Sequence, residues 1–228
     1  MQSGFIKPQK RAMVFIDGNN LYFGMKKNVG NYNLNYWKFI QKIVGDCELV
    51  RAYFYTAIFR KEDDEKLFNS QQKFLSYLQE VPYMQVTTGR IEKRGEALVE
   101  KGVDVNLAVD LVRFGAKRLY DVAILVSGDG DYAPAVNAVK DMGLHVENAF
   151  FFDEVSIHLK HVCDRFIQLD FDFLRDCLFA SAIPAFVRNG VESKQAGEVE
   201  REYFDAIGEA GLPIDKELPP TDKNNSRP

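Results

Sequence analysis

Hydrophobic residues in this chain fall in short runs separated by longer amphipathic stretches. The runs that predict strands lie at 12–16, 48–57, 83–88, 120–126, 144–151 and 165–169. The stretches with helical spacing of apolar positions lie at 36–44, 61–79, 103–114, 132–142, 156–161 and 171–179. Because strands and helices alternate, the pattern predicts an α/β sandwich with a mainly parallel sheet.

Two local features refine this prediction. The helix over 103–114 is expected to bury Val105, Ala108, Val109 and Val112. The segment 17–20, which follows the first apolar run, is rich in Asp, Gly and Asn and is typical of a turn.

The composition changes near residue 180. Residues 1–180 are predicted to form one globular domain, and 181–228 a C-terminal extension that becomes polar and rich in proline. Within that extension, 198–210 has the pattern of one helix, followed by a disordered tail. We expect the extension to be dispensable for folding of the domain.

Composition and charge restrict the class of protein. The 228 residues are 46% hydrophobic, which suits a single sizeable core, and no apolar run is long enough to cross a membrane. The first residues lack a secretory pattern, so we expect a cytoplasmic protein. The scattered Cys47, Cys163 and Cys177 argue against a disulfide framework or a zinc cluster. A net charge of −4 means that any contact with nucleic acid must be local.

Four acidic residues are the candidates for chemistry. Asp17 follows the first strand, Asp129 and Asp131 follow the strand at 120–126, and Asp104 lies near a predicted helix start. If those two strands are neighbours, the four carboxylates meet at the carboxyl edge of the sheet. Their mutual repulsion calls for a hard cation, Mg²⁺ or Mn²⁺, which can polarise a phosphate and activate water against a phosphodiester.

Each acid taken alone also has a structural explanation. Asp-Gly after a strand is common in turns, and Asp104 and Asp131 are each suited to cap a helix. Asn20 and Ser127 are supporting candidates that orient a ligand, and Asp110 points to another helix face and is supporting or structural. Basic residues that flank the acids are candidates for binding an anionic substrate: Lys26, Lys27, Arg90, Lys93, Arg94 and Lys101. The aromatic Tyr22, Phe23 and Tyr32 are suited either to stack bases or to pack in the core.

Three segments carry a family resemblance. Residues 15–21 (FIDGNNL), 101–110 (KGVDVNLAVD) and 126–132 (VSGDGDY) resemble the signature blocks of NYN domains, LabA-like branch, in the PIN-like nuclease superfamily. The resemblance covers about residues 10–170. It implies a Rossmann-like three-layer α/β/α sandwich and a metal-dependent ribonuclease site formed by Asp17, Asp104, Asp129 and Asp131.

The main hypothesis is therefore a Mg²⁺- or Mn²⁺-dependent endoribonuclease acting on RNA, with single strands favoured. One alternative is an RNA-binding or regulatory module that retains the acids but cleaves weakly or not at all. Another is phosphoryl transfer through an aspartyl phosphate, which is disfavoured because Asn19 stands where its second acid belongs. The sequence leaves a homo-oligomer open.

Overall fold

A computed structural model describes residues 9–30, 33–62, 64–94 and 97–179. The strands are β1 (Arg11–Asp17), β2 (Glu48–Ile58), β3 (Met84–Arg94), β4 (Ala97–Lys101), β5 (Val122–Val126), β6 (His145–Phe150) and β7 (Arg165–Gln168). The helices are α1 (Gly18–Asn28), α2 (Tyr36–Val44), α3 (Glu65–Glu80), α4 (Val103–Ala116), α5 (Ala133–Asp141), α6 (Ile157–Val162) and α7 (Phe171–Leu174). Short 3₁₀ turns cover Gly130–Tyr132 and Arg175–Cys177.

The strands form one seven-stranded sheet in the order β4-β3-β2-β1-β5-β6-β7. Six of them run parallel, and β4 pairs antiparallel with β3. The central strand β1 is buried along almost its whole length, as its continuous apolar run predicts. The mainly parallel α/β sheet expected from the sequence is confirmed.

Helices cover both faces of the sheet, as alternate residues of β2 show. On one face the Tyr53 ring lies 5.0 Å from the ring of Phe114 in α4. On the other face the Phe54 ring lies 5.5 Å from Tyr36 in α2 and 5.8 Å from Phe74 in α3. Successive side chains of a strand point to opposite faces, so α4 and the pair α2 and α3 form separate layers around the sheet.

The predicted buried face of α4 is wrong. Val105 is 64% exposed and Val109 is 53% exposed, whereas Leu107 and Leu111 are fully buried; Ala108 and Val112 are half-buried. The helix has two apolar stripes, and periodicity alone does not decide which one faces the sheet.

Two elements were absent from the sequence prediction. The segment expected to be a turn opens helix α1, whose first turn is capped by the Asp17 carboxylate. Gly18 is required there because a Cβ would stand 2.6 Å from the Phe54 ring and 2.9 Å from the Tyr55 carbonyl oxygen. The second missed element is β4, which completes a β3–β4 hairpin.

The β3–β4 hairpin projects beyond the carboxyl edge of the sheet. Asp17, the last residue of β1, is level with Tyr55, and Tyr55 is level with Thr87 of β3. Residues 88–94 therefore extend past the end of β1, by about 23 Å at the usual rise of a strand. The hairpin thus rises past this edge of the sheet two strands away from β1, with β2 between them.

The predicted boundary at 180, the extension 181–228 and its helix over 198–210 lie outside the described residues. In the part of the chain that is described, no helix has the length and apolar character needed to span a membrane.

A chain ending at residue 179 should stay soluble and melt cooperatively near the temperature of the full chain. The described core is closed by Leu178, which bridges to Leu34, and by the Phe179 N–H, which donates to Asn33. A chain ending at residue 170 is the control, since it also loses the buried Leu174 and Leu178 and should melt lower. Thermal melts followed by circular dichroism compare the three. Non-cooperative melting of the 179-residue form would show that the extension packs on the domain.

Candidate active site

Asp17 is the centre of a hydrogen-bond network at the carboxyl edge of the sheet. Its side chain is 2% exposed, and Oδ1 accepts the Asn20 backbone N–H at 3.1 Å. Oδ2 accepts from Asn20 Nδ2 at 3.0 Å, from Tyr132 Oη at 2.9 Å and from Ser127 Oγ at 3.4 Å. Three donors on Oδ2 and one on Oδ1 leave Oδ1 with the free lone pair.

The electrostatic surroundings of Asp17 oppose its negative charge. Burial raises the pKa of the carboxyl to about 6, and the N–H of Asn20 works against that rise. The negative charges of Asp104 and then Asp129 raise the pKa further, while the Tyr132 hydroxyl lowers it. The structure thus brings Asp17, Asp104 and Asp129 into one electrostatic neighbourhood.

The loop after β5 is tied to the end of β1 through backbone donors. The Gly128 N–H donates to Asn20 Oδ1 at 3.3 Å, and the Asp129 N–H donates to Ser127 Oγ at 3.1 Å. The Asp131 N–H donates to Asp129 Oδ1 at 2.9 Å. Asp129 is half-exposed and Asp131 is exposed, so the loop places them at the mouth of the site, above the buried Asp17.

Tyr132 is a site residue that the sequence analysis did not single out. It is 1% exposed, and its hydroxyl donates to Asp17 Oδ2. Burial strongly raises the pKa of the phenol, as do the charges of Asp17, Asp104 and Asp129 in turn. Tyr132 therefore remains a protonated donor. The available signal was its position directly after the last acid of the block 126–132.

The two acids of α4 have different surroundings. Asp104 lies exposed in the first turn of the helix, just after Gly102, whose φ is 81°. Asp110 is 9% exposed; it accepts from Tyr55 Oη at 3.1 Å and pairs with Arg113 at 2.6 Å. This placement agrees with the expectation that the two acids occupy different helix faces. Asp110 is held by a hydrogen bond from β2 and an ion pair within α4.

The acids suit a hard cation by donor type, because all of them offer carboxylate oxygens. Across residues 9–30, 33–62, 64–94 and 97–179, however, no three His, Cys, Asp or Glu side chains stand close enough together to hold a metal ion. Asp17, Asp104 and Asp129 do interact through their charges.

The basic candidates lie in varied surroundings. Lys27 forms an ion pair with Glu154, and Lys26 Nζ lies 5.7 Å from the centre of the Tyr22 ring. Arg90 and Lys101 are direct partners across the β3–β4 ladder. Like charges placed directly opposite each other in a strand pair are destabilising.

Other candidates are less informative about a substrate. Lys93 and Arg94 belong to β3, but their side chains lie outside the described part of the structure, as does Tyr32. Tyr22 is 2% exposed and Phe23 packs against the core, so the structure places both in the core rather than on an open surface. Substrate contact by the six basic residues stays a prediction.

The segment 151–156 after β6 packs directly on the acidic loop. A Cβ on Gly128 would stand 2.4 Å from the Phe150 ring and 2.6 Å from the Glu154 carbonyl oxygen. The Ser156 N–H donates to the Gly128 carbonyl at 2.9 Å. This contact of 151–156 with the acidic loop was not foreseen, since nothing in the sequence at 151–156 resembles a ligand-binding motif.

Comparisons with known proteins agree with the fold. The chain is 27% identical over 165 residues to the low amplitude and bright protein LabA of Synechococcus elongatus, covering 70% of this chain and 84% of that protein. A crystal structure of a protein of unknown function from Vibrio parahaemolyticus superposes with a TM-score of 0.60 at 24% identity, covering 76% of this chain and 99% of the other, and shows the same fold.

A family model gives the assignment. The NYN domain model matches residues 11–170, a span that runs from β1 to the end of β7 and contains every acid of the site. NYN domains are part of the PIN-like nuclease superfamily, so this match supports a nuclease or RNA-related role. With its mainly parallel sheet, its acids at the carboxyl edge and this match over most of its described length, the chain belongs to the NYN domain family.

Proposed function

We propose that this protein is a divalent-metal-dependent endoribonuclease that hydrolyses phosphodiester bonds of single-stranded RNA. The observation that carries the proposal is the burial of the Asp17 carboxylate close to two other acids. A buried carboxylate whose pKa is raised by burial and by the charges of Asp104 and Asp129 is costly to the fold unless a cation or a proton neutralises it.

The residues suited to hold Mg²⁺ or Mn²⁺ are Asp17, Asp104, Asp129 and Asp131. Such a cation, when bound, supplies Lewis acidity towards a phosphate oxygen and lowers the pKa of a coordinated water. The donors agree with this use because a hard cation prefers oxygen ligands and keeps several waters.

The hydrogen-bond partners of Asp17 determine which of its oxygens is available to a cation. Because Oδ2 already accepts three hydrogen bonds, Asp17 offers a single oxygen, Oδ1, to a ligand. Asn20, Ser127 and Tyr132 fix the carboxylate so that little reorganisation accompanies binding. We assign to these three residues the positioning of Asp17.

Access to the site favours an unpaired strand. Asp17 is 2% exposed, and the β3–β4 hairpin projects past the same edge two strands away, so we infer that a phosphate enters a recess to approach it. A single strand is flexible enough to enter such a recess, whereas the backbone of a duplex is held on a rigid cylinder. Arg90 and Lys101 on the hairpin supply positive charge for the phosphates next to the recess.

The test is a cleavage assay on the full chain with end-labelled single-stranded RNA, the same sequence as a duplex, and single-stranded DNA. We expect internal cleavage of the single-stranded RNA with Mn²⁺ or Mg²⁺ and none with EDTA. Equal cleavage of the duplex would contradict the strand preference. Binding of RNA without cleavage under any metal would favour an RNA-binding or regulatory module.

A further inference from the structure

An exposed aromatic residue, Phe152, belongs to the segment 151–156 that packs on the acidic loop. It follows two phenylalanines, Phe150 and Phe151, that are 2% and 1% exposed, whereas Phe152 itself is 55% exposed. Exposing a large aromatic ring to water forgoes the stabilisation that its burial would bring, and the ring has no use in the proposed hydrolysis.

The position of Phe152 relative to the acids is fixed by the backbone. It belongs to the segment 151–156 after β6, and that segment contacts the acidic loop through the Ser156–Gly128 hydrogen bond of 2.9 Å. In the sheet, β6 is separated from β1 only by β5. Two strand spacings amount to about 10 Å, and the Phe152 ring leans towards Phe166 of β7, one spacing farther from β1. The ring therefore lies on the line of a strand that continues past Asp17, and not at the nucleotide directly beside that acid.

The Phe152 ring is held in place by a cation. Lys160 Nζ lies 3.7 Å from the centre of the Phe152 ring and 4.6 Å from the centre of the Phe166 ring. The Phe152 and Phe166 rings also meet edge to face, with centroids 6.4 Å apart. One side of the Phe152 ring is thus fixed against α6 and β7, and the exposed remainder forms a preorganised aromatic surface.

The charges around the Phe152 ring favour a nucleobase over a phosphate as its occupant. Ile157, at the start of α6, is also exposed, at 68%. The nearby acids are Asp153, which is exposed, and Glu154, which pairs with Lys27. Asp153 disfavours a phosphate directly on the ring, whereas a nucleobase is uncharged and presents a flat face for stacking.

We propose that Phe152 is a stacking subsite for one unpaired nucleobase of the RNA strand whose phosphate lies at the acids. This inference rests on the proposed function and adds a second point of attachment for the same strand. The subsite takes any base, because every base presents a π face, and it gives affinity rather than sequence selectivity.

The test measures binding in a cleavage-silent background. All variants carry Asp129→Asn, and the full chain is titrated into a fluorescein-labelled single-stranded RNA with Mn²⁺. Phe152→Ala should weaken binding about tenfold. Tyr83→Ala is the matched control: Tyr83 is 59% exposed but lies at the opposite, amino edge, directly before β3, and its replacement should leave the affinity unchanged.

A second measurement detects the stacking itself. Trp37 is the single tryptophan of the chain. Phe152→Trp should keep the affinity of the background protein and add fluorescence that RNA quenches, while Trp37 alone shows no such quenching.

Unchanged affinity in Phe152→Ala together with unquenched emission in Phe152→Trp would overturn the subsite and leave the proposed function standing. A change of oligomeric state without a change of RNA affinity would equally overturn it, since the ring would then lie between copies of the chain. Failure of the parent protein, without Asp129→Asn, to bind or cleave any RNA would contradict both proposals.

Discussion

Replacing Asp129 with Asn should abolish divalent-dependent RNA cleavage, by about a hundredfold or more, while the metal-free protein stays as stable as the parent or becomes more stable. Asn keeps the shape of the side chain and can still accept the Asp131 N–H, but it removes a negative charge. A hard cation held by a few carboxylates then binds more weakly. The same loss of charge relieves repulsion towards Asp17.

The opposite signs of the two effects make the Asp129→Asn result informative. A time course of RNA cleavage with Mn²⁺ and a thermal melt in EDTA measure them separately. Asp153→Asn is the matched control, because Asp153 is an exposed acid on the adjacent segment after β6 and should change neither quantity. If Asp129 served only the turn, Asn would support cleavage nearly as well.

The second large effect concerns the pH dependence of stability, which Asp17 should dominate in the absence of metal. Its pKa in the fold, about 6, lies above the ordinary value of 3.8. The folded state therefore binds the proton more tightly than the unfolded state. The contribution of Asp17 is fully present below pH 3.8 and is lost as the pH rises through about 6. The loss amounts to about 3 kcal/mol of unfolding free energy.

Urea unfolding in EDTA at pH 4.5, 6 and 7.5 tests this expectation with Asp17→Asn as the reference. As the pH rises, the unfolding free energy of the parent should fall relative to that of the variant, because Asn does not titrate. Adding Mn²⁺ should raise the melting temperature of the parent more at pH 7.5 than at pH 5, since only the ionised carboxylate binds the ion well. A difference that stays constant with pH would show that Asp17 keeps an ordinary pKa in the fold.

Much of the fold was accessible from the sequence because the relevant signals are local. Asn35 caps α2 and Gly45 ends it, and the helix spans the predicted 36–44. The apolar run before Asp17 forms the central strand for the same reason, since a strand buried on both faces needs apolar residues throughout.

The errors in the predicted elements occur where contacts with residues distant in sequence determine the local structure. Helix α4 has two apolar stripes, and the choice between them depends on β2. The Tyr55 hydroxyl of β2 donates to Asp110, which is also paired with Arg113. Helix α1 was missed because Asp17 reads as a turn residue. Its carboxylate in fact caps the helix at Asn20 and also accepts from Ser127, more than a hundred residues away in sequence.

The acids of the candidate site could be proposed from the sequence, as could the donors Asn20 and Ser127, but the donor Tyr132 could not. Carboxylates at strand ends can be recognised one by one, because the carboxyl edge of a parallel sheet collects them. Tyr132 cannot be recognised in that way, because an aromatic residue after a turn is usually core, and only the folded distance of 2.9 Å to Asp17 shows its function as a donor.

The central position of β1 also determines when the site comes into existence during synthesis. Ile16 pairs with Val126, so 110 residues must follow before one edge of the first strand finds its partner. At the usual pace of a ribosome this takes about 5 to 20 s. During that interval Asp17 lacks Ser127 and Tyr132, and Asp129 has not yet been made. A nascent chain is therefore unable to assemble the acids until Asp129 and Tyr132 have been added, so the site appears only after most of the domain has been synthesised.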